Sequence, residues 1–398
     1  MGGGIVLDKV RELKDKVQKV IEEFSPKAIA LSDELALNPE VSEQEYSSSR
    51  KHVELLKEAG FEIEYPFCGI ETAFRAVIGK GSPKVALLVE YDALPEIGHA
   101  CGHNVSGAMS TLAGIALASL KGELNGQVQV IGTPAEETNG AKIKMSKEGV
   151  FDELDLAMMI HSGGGVSYVH YECLAMDALE FVFKGKTAHA AASPWEGRNA
   201  LNGVQLMFHA LDMLRQHIRP EVRIHGIIHE GGTAPNIVPE RAVARFYFRA
   251  PKRSLLNEVV RKAFNCAKGA ALATETEVDW RNFELSFDDM VTNRPAEEKM
   301  ESIMRELGVE LSPFPGAQGS SDIGNVSHRC PAMQPVLSIT PRKMALHTRE
   351  LAEATMMDEA HHALVRGAKA LAFMAIEVMM DEKLRSSIRE AFEKEKQA

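Results

Sequence analysis

The stretch Lys84-Val-Ala-Leu-Leu-Val-Glu90-Tyr-Asp92-Ala-Leu-Pro95 decides the fold. A short unbroken apolar run, bounded by charge and followed by a turn, is the pattern of a strand buried on both faces. Downstream the pattern recurs in Gln127-Val-Gln-Val-Ile131 and Leu154-Asp-Leu-Ala-Met-Met-Ile160, with helical segments expected over 104–120 and 141–149. Upstream, Val10, Leu13, Val17, Val20 and Ile21 stand at helical spacing and predict a helix over 8–36; a second is expected over 43–59, stopping at Gly60. Strands alternating with helices predict an α/β fold, a mostly parallel sheet flanked by helices.

The texture changes after Gly163-Gly164-Gly165. Strands are expected over 174–185, 222–229, 240–250 and 275–283, and helices over 198–216 and 252–272. That β-α-β-β-α-β order is a ferredoxin-like unit. The expected organisation is therefore a catalytic domain formed by 1–173 and 289–398, with a small domain inserted at 174–288. From 290 the α/β pattern resumes with a helix over 295–307, a Gly/Ser/Pro-rich loop over 312–325, a strand near 335–340 and helix from 355.

A chain of 398 residues exceeds what one core usually supports, which agrees with two domains. The formal net charge of −11, with no long Lys/Arg cluster to offset it, excludes a phosphate-tracking nucleic-acid surface. Five scattered cysteines fit free thiols in a reducing compartment better than a disulfide framework. No stretch of roughly 18 apolar residues occurs, so a cytoplasmic protein without a membrane partner is expected.

Chemistry concentrates at the ends of the expected strands. Asp92, Glu136-Glu137 and His161 each follow one, and Cys101-Gly-His103 lies in the loop after the first. Open α/β sheets bind ligands at that edge. In an extended loop Cys101 and His103 can face one ion, and thiolate with imidazole suits zinc, whereas manganese suits a shell of carboxylates. Alone, the motif reads more readily as a small buried thiol beside a capping histidine. Adjacent carboxylates on an extended segment point opposite ways, so one of Glu136 and Glu137 can hold a metal while the other moves protons; alone, the pair could be a solvated acidic turn. His161, ending an apolar strand before a glycine run, is placed as if presented at a cleft. His347, in Leu346-His-Thr-Arg-Glu350, is expected to start a helix and says nothing by itself, and His99, His328, His361 and His362 read as structural or solvated.

Together, Glu90-Tyr-Asp-Ala-Leu-Pro95, His99-Ala-Cys-Gly-His-Asn104, Pro134-Ala-Glu-Glu137, His161 and Leu346-His347-Thr resemble the aminoacylase/metallocarboxypeptidase family of metallopeptidases, in its Cys-Gly-His amidohydrolase branch. The resemblance spans nearly the whole chain. It implies a metal-dependent hydrolase that cleaves the amide bond of dipeptides or N-acyl amino acids with a metal-activated water. It implies two divalent ions per subunit, zinc or manganese, held by Cys101, His103, Glu137, His161 and His347, with Glu136 as general base. It further implies that the inserted domain forms a homodimer interface and a lid, and that His189, in Lys184-Gly-Lys-Thr-Ala-His189-Ala, completes the site of the partner subunit. Asn236 and Arg249 match segments that grip a substrate carboxylate, although Arg249 on its own would read as half of a strand-face ion pair; Ser320 and Ser321 join them as substrate-binding candidates.

Two departures stand out. Asn104 replaces an aspartate common in the branch, and Gly319-Ser-Ser-Asp322 replaces a Glu-Asp-Phe region. Both resemble the aminobenzoyl-glutamate hydrolase and β-alanyl-lysine dipeptidase subgroup. The competing readings are a non-catalytic metal- or ligand-binding protein on the same scaffold and an aminopeptidase. Glu136, a carboxylate beyond the ligand set, weighs against the first; the Asn236–Arg249 pair, suited to an anion, weighs against the second.

Overall fold

The computed structural model describes residues 2–317 and 319–396. In chain order the strands are β1 (Glu62–Glu64), β2 (Phe74–Lys80), β3 (Lys84–Val89), β4 (Gly126–Gly132), β5 (Leu156–Met158), β6 (His161–Gly163), β7 (Ala175–Lys184), β8 (Arg223–Glu230), β9 (Arg241–Ala250), β10 (Glu277–Asn282), β11 (Ala332–Met333) and β12 (Val336–Ser338). The helices are α1 (Gly2–Leu37), α2 (Tyr46–Glu58), α3 (His103–Ala118), α4 (Ala141–Lys147), α5 (Ala200–Leu214), α6 (Arg253–Thr274), α7 (Arg294–Glu306), α8 (Ile323–Ser327), α9 (Arg349–Ala354), α10 (Asp358–Met380) and α11 (Glu382–Glu395). Among the described residues no helix is long and apolar enough to cross a membrane.

The chain divides into two compact units. The first comprises Met1–Glu172, Met290–Gly316 and Asp322–Ala398. Its sheet runs β1-β2-β4-β3-β5-β11. The strands read from the apolar runs, β3, β4 and β5, are parallel, as is β11. The edge formed by β2 and β1 is antiparallel and was not legible in the sequence: Phe74–Lys80 alternates buried and half-buried positions and ends in Gly-Lys, while β1 is only Glu-Ile-Glu. The single strand expected over 154–160 is broken. β5 ends at Met158, and His161 opens β6, which pairs with β12 in a separate two-stranded sheet.

Helix α3 is buried on every side, and its residues are apolar or small enough to allow it apart from His103 and Asn104 in the first turn. It packs against α1, α10 and β3, and its small residues set how closely. A Cβ on Gly107 would stand 2.2 Å from the carbonyl oxygen of Glu90, and one on Gly114 2.6 Å from Val130. This close seating lays the first turn of α3, and with it His103, over the strand ends.

The second unit comprises Cys173–Asp289 and Ala317–Ser321. Its order is β7-α5-β8-β9-α6-β10, and its antiparallel sheet runs β10-β7-β9-β8, the ferredoxin-like arrangement. Ala242, Ala244, Phe246, Phe248 and Ala250 of β9 pack with α5 and α6 residues in one core, so the alternate residues Arg245, Tyr247 and Arg249 face the other side of the sheet.

An alanine in place of glycine within a helix normally gains up to about 1 kcal/mol, but at Gly107 it would press on backbone. Gly107→Ala should instead cost about 1–3 kcal/mol, seen as a lowered urea midpoint with an unchanged slope.

Candidate metal centre

Four chain segments deliver the candidate ligands to the C-terminal edge of the first unit's sheet. The turn after β3 brings Cys101 to Gly102, which adopts φ +77°, and His103 begins α3 instead of lying in an extended loop. The turn after β4 brings Glu136 and Glu137. Here too the geometry differs from the expectation: the pair sits in a tight turn behind Ala135 at φ +61°, not on an extended segment. Both glutamates therefore stand near His103, within one cluster whose ligand atoms lie within 4.8 Å of one another. His161 comes from the start of β6. His347, at φ +61°, precedes α9 instead of opening it, and its backbone N–H donates to the carbonyl of Ala100 at 2.8 Å, which ties it to the cysteine loop.

Cys101, His103 and His161 form one cluster with ligand atoms within 4.8 Å, and Cys101, Glu137 and His347 form another. Cys101 Sγ lies 3.6 Å from His161 Nε2, and His347 Nε2 lies 3.4 Å from Glu137 Oε1. The outward nitrogens are selected by bonds to the inward ones. His103 Nδ1 donates to Asp92 Oδ1 at 2.9 Å, and His161 Nδ1 donates to the Ser162 carbonyl at 2.8 Å. Each imidazole thus turns Nε2 toward the cluster, the arrangement metal-binding histidines use.

The donor set fits divalent metal. His103 Nε2 and Glu90 Oε2 face each other at 3.4 Å and Glu137 Oε1 stands 3.4 Å from His347 Nε2, yet none of these three buried atoms, His103 Nε2, Glu90 Oε2 and Glu137 Oε1, completes a hydrogen bond, an arrangement that a cation among them would relieve. Burial pushes the Cys101 thiol well up, so ligation would release its proton. Burial alone would lower His103, but Asp92 and Glu90 beside it hold it well above its ordinary value; it too would give up a proton to a metal. Burial, then Glu90, Glu137 and Asp322, raise Glu136 well above the usual carboxylate range. Glu137 faces the same burial, yet His347 and His103 hold it low.

Beneath these residues lies a charge network that the sequence did not announce. Lys142, flanked by Ala141 and Ile143 on α4, is fully buried. Its Nζ donates to Glu90 Oε1 and Asp322 Oδ1, both at 2.6 Å. Despite burial, those carboxylates hold Lys142 above its ordinary pKa. Glu90, Glu136 and Asp322 cluster within 4.8 Å, so the ammonium offsets charge where three carboxylates meet. Glu45 was missed as well. It accepts from Ala135 N–H at 2.9 Å and from Thr72 Oγ1 at 3.0 Å, pinning the turn that carries Glu136. Asn104 donates to the carbonyl and hydroxyl oxygens of Ser32 at 3.2 and 3.1 Å; it ties α3 to α1.

The other candidates lie in the second unit, in two groups. Ala190 N–H donates to the Asn236 carbonyl at 3.0 Å and His189 bridges Ile237, which sets exposed His189 beside Asn236. Arg249 Nη1 donates to Ser320 Oγ at 3.2 Å, while the hydroxyl of buried Ser321 has no partner.

A family model described as peptidase family M20/M25/M40 matches residues 86–375. The chain belongs to this family. Xaa-Arg dipeptidase of Mus musculus is 35% identical over 96% of this chain and 92% of its own. A p-aminobenzoyl-glutamate hydrolase polypeptide of Escherichia coli is 27% identical over 94% of this chain and 93% of its own. In fold the M20 chain matches a dinuclear metal-binding M20 peptidase from Bacillus subtilis, with a TM-score of 0.69 at 20% identity, covering 90% of this chain and 99% of that one. This M20 chain is accordingly a metal-dependent hydrolase of amide bonds in dipeptides or N-acyl amino acids, as the motifs implied.

Glu45 gives the metal-free protein a pH signature. Burial and nearby Asp92 raise its carboxyl from an ordinary 4.5 to about 7. A carboxyl with a raised folded value binds its proton more tightly folded than unfolded, so its stabilising effect is complete below pH 4.5 and is lost as pH rises through about 7. Urea titrations of metal-free protein across that window should show this fall, and Glu45→Gln should flatten it.

Proposed function

We propose that the chain is a dipeptidase or N-acyl amino acid hydrolase whose substrate carries a free carboxylate, with Glu136 as general base. The observation that carries this reading is the position of Glu136 beside His103 and Glu137, within 4.8 Å. A protein that merely held metal would have no use for that additional carboxylate.

In this reading Cys101, His103, Glu137, His161 and His347 hold two divalent ions, zinc or manganese. Bound there, the ions would acidify a water molecule and polarise the scissile carbonyl. Glu136 accepts the water's proton and returns it to the leaving amine. Arg249, steadied by Ser320, takes the substrate carboxylate, which a guanidinium suits; Asn236 and Ser321 complete the grip. The partner subunit's His189 donates to the oxyanion. The 35% identity to a dipeptidase favours a dipeptide over an aminobenzoyl substrate. The free cysteines support a reducing, cytoplasmic setting.

A homodimer is supported by β8. It is an edge strand with Ile227 60% and Ile228 45% exposed, and Met213 on α5 is 72% exposed. An unpaired, apolar edge is a surface that another strand completes.

Glu136→Gln should keep the metal content of the wild type by elemental analysis while losing about 10²–10⁴-fold in kcat; near-normal turnover would refute the assignment. Mixing inactive His189→Ala and Glu136→Gln subunits should restore activity through heterodimers, with subunit exchange verified by mass. Exchange without recovery would show that the site is not shared.

A further inference from the structure

The open face of the second unit's sheet carries an unusual charge arrangement. Most of its charges are consumed: Glu180 accepts from Arg245 at 2.8 Å and from Arg281 at 2.8 and 2.9 Å, and Lys184 donates to Asp279 at 2.6 Å. Arg249 and Glu284 are exceptions. Among the described residues neither forms an ion pair. Each is held by a neutral hydroxyl: Arg249 by Ser320, and Glu284 by Tyr247, whose phenol donates to Glu284 Oε1 at 2.7 Å.

The fold explains how they are held apart. Tyr247 and Arg249 are two apart on β9, so they share a face and stand roughly 7 Å from each other along the strand. Opposite Tyr247 on β7 is Ala178, whose short side chain leaves room. The segment after β10 uses that room. Phe283 N–H donates to the Ala178 carbonyl at 3.1 Å and Phe287 exchanges two bonds with Met176, so residues 284–286 bulge over β7. Phe283 meets Tyr247 edge-on, with ring centroids 5.6 Å apart, and Glu284 reaches the phenol. The Arg249 guanidinium lies over the other end of this group, 5.8 Å from the Tyr247 ring centroid. Two opposite charges, close but each tied to a hydroxyl, match a ligand carrying both signs at a similar separation. A residue with a free α-carboxylate and a cationic side chain is such a ligand.

We propose that Glu284 is a specificity-determining residue: it receives the side-chain cation of the substrate residue whose α-carboxylate meets Arg249, selecting dipeptides that end in lysine or arginine. This rests on the dipeptidase reading above and on Arg249 as its carboxylate grip. Tyr247 acts as the positioning residue, holding the glutamate off Arg249 so that its charge stays available.

The test uses full-length, metal-loaded enzyme and three probes, β-alanyl-lysine, β-alanyl-alanine and β-alanyl-glutamate. Wild type should prefer the lysine peptide. Glu284→Gln keeps an acceptor for the Tyr247 phenol but removes the charge. It should lower the lysine-over-alanine ratio of kcat/KM by about tenfold to a hundredfold, the size expected for one charge-assisted hydrogen bond, and chiefly through KM. Glu284→Arg should reverse the preference toward the glutamate peptide. If wild type cleaves the three peptides alike, or if Glu284→Gln leaves the ratio in place, the specificity assignment is overturned and the dipeptidase reading stands. If loaded wild type cleaves none of them, both fall.

Discussion

Asp92 is the residue on which the site depends. Fully buried at the turn after β3, its carboxylate accepts from His103 Nδ1 at 2.9 Å, from the Glu137 backbone N–H at 3.0 Å and from Ser42 Oγ at 2.8 Å. Three otherwise separate pieces, the start of α3, the glutamate turn and the loop before α2, are thereby fixed to one pair of oxygens. Burial would by itself raise such a carboxyl, but His103 and these donors hold it below the ordinary range. The bond to His103 also decides which imidazole nitrogen faces the cluster. A change at Asp92 would therefore disturb two candidate ligands at once, though none of its own contacts is to a third.

The layer below works by compensation. Glu90, Lys142 and Asp322 are each fully buried, and ions taken from water cost several kcal/mol apiece unless geometry repays them. Two 2.6 Å contacts from one ammonium, with the Lys142 backbone N–H donating to Asp322 at 3.2 Å, supply that repayment. The network joins β3, α4 and α8, and it sets the distance between the glutamate turn and the strand end beneath it.

Much of this was legible, and the illegible part has common causes. Apolar runs announced β3, β4 and β5, because strands buried on both faces must be apolar, and the order of strand and helix patterns announced the insert; β1 and β2, at an edge, carried no such run. The candidate ligands stood out because most of them follow strand ends, but not their local geometry: positive φ at Ala135 and His347 turned an expected extended pair into a turn and an expected helix start into a loop. Lys142 gave no warning, since a lysine between alanine and isoleucine on a short helix reads as a solvated side chain. Its partner Asp322 lies 180 residues away, and single-sequence patterns do not reach that far. Glu284 and Tyr247 were silent for the same reason.

The edge at β8 carries its own limit on what it can template. Gly226 sits where a Cβ would stand 2.3 Å from the Phe246 ring, and the ladder with β9 slips between Ile228 and Glu230. Such an irregularity re-aims a strand and ends its capacity to template another. The row of free backbone groups is thus cut short directly after the two isoleucines. What remains of the edge is too short and too bent to start an open-ended stack of copies.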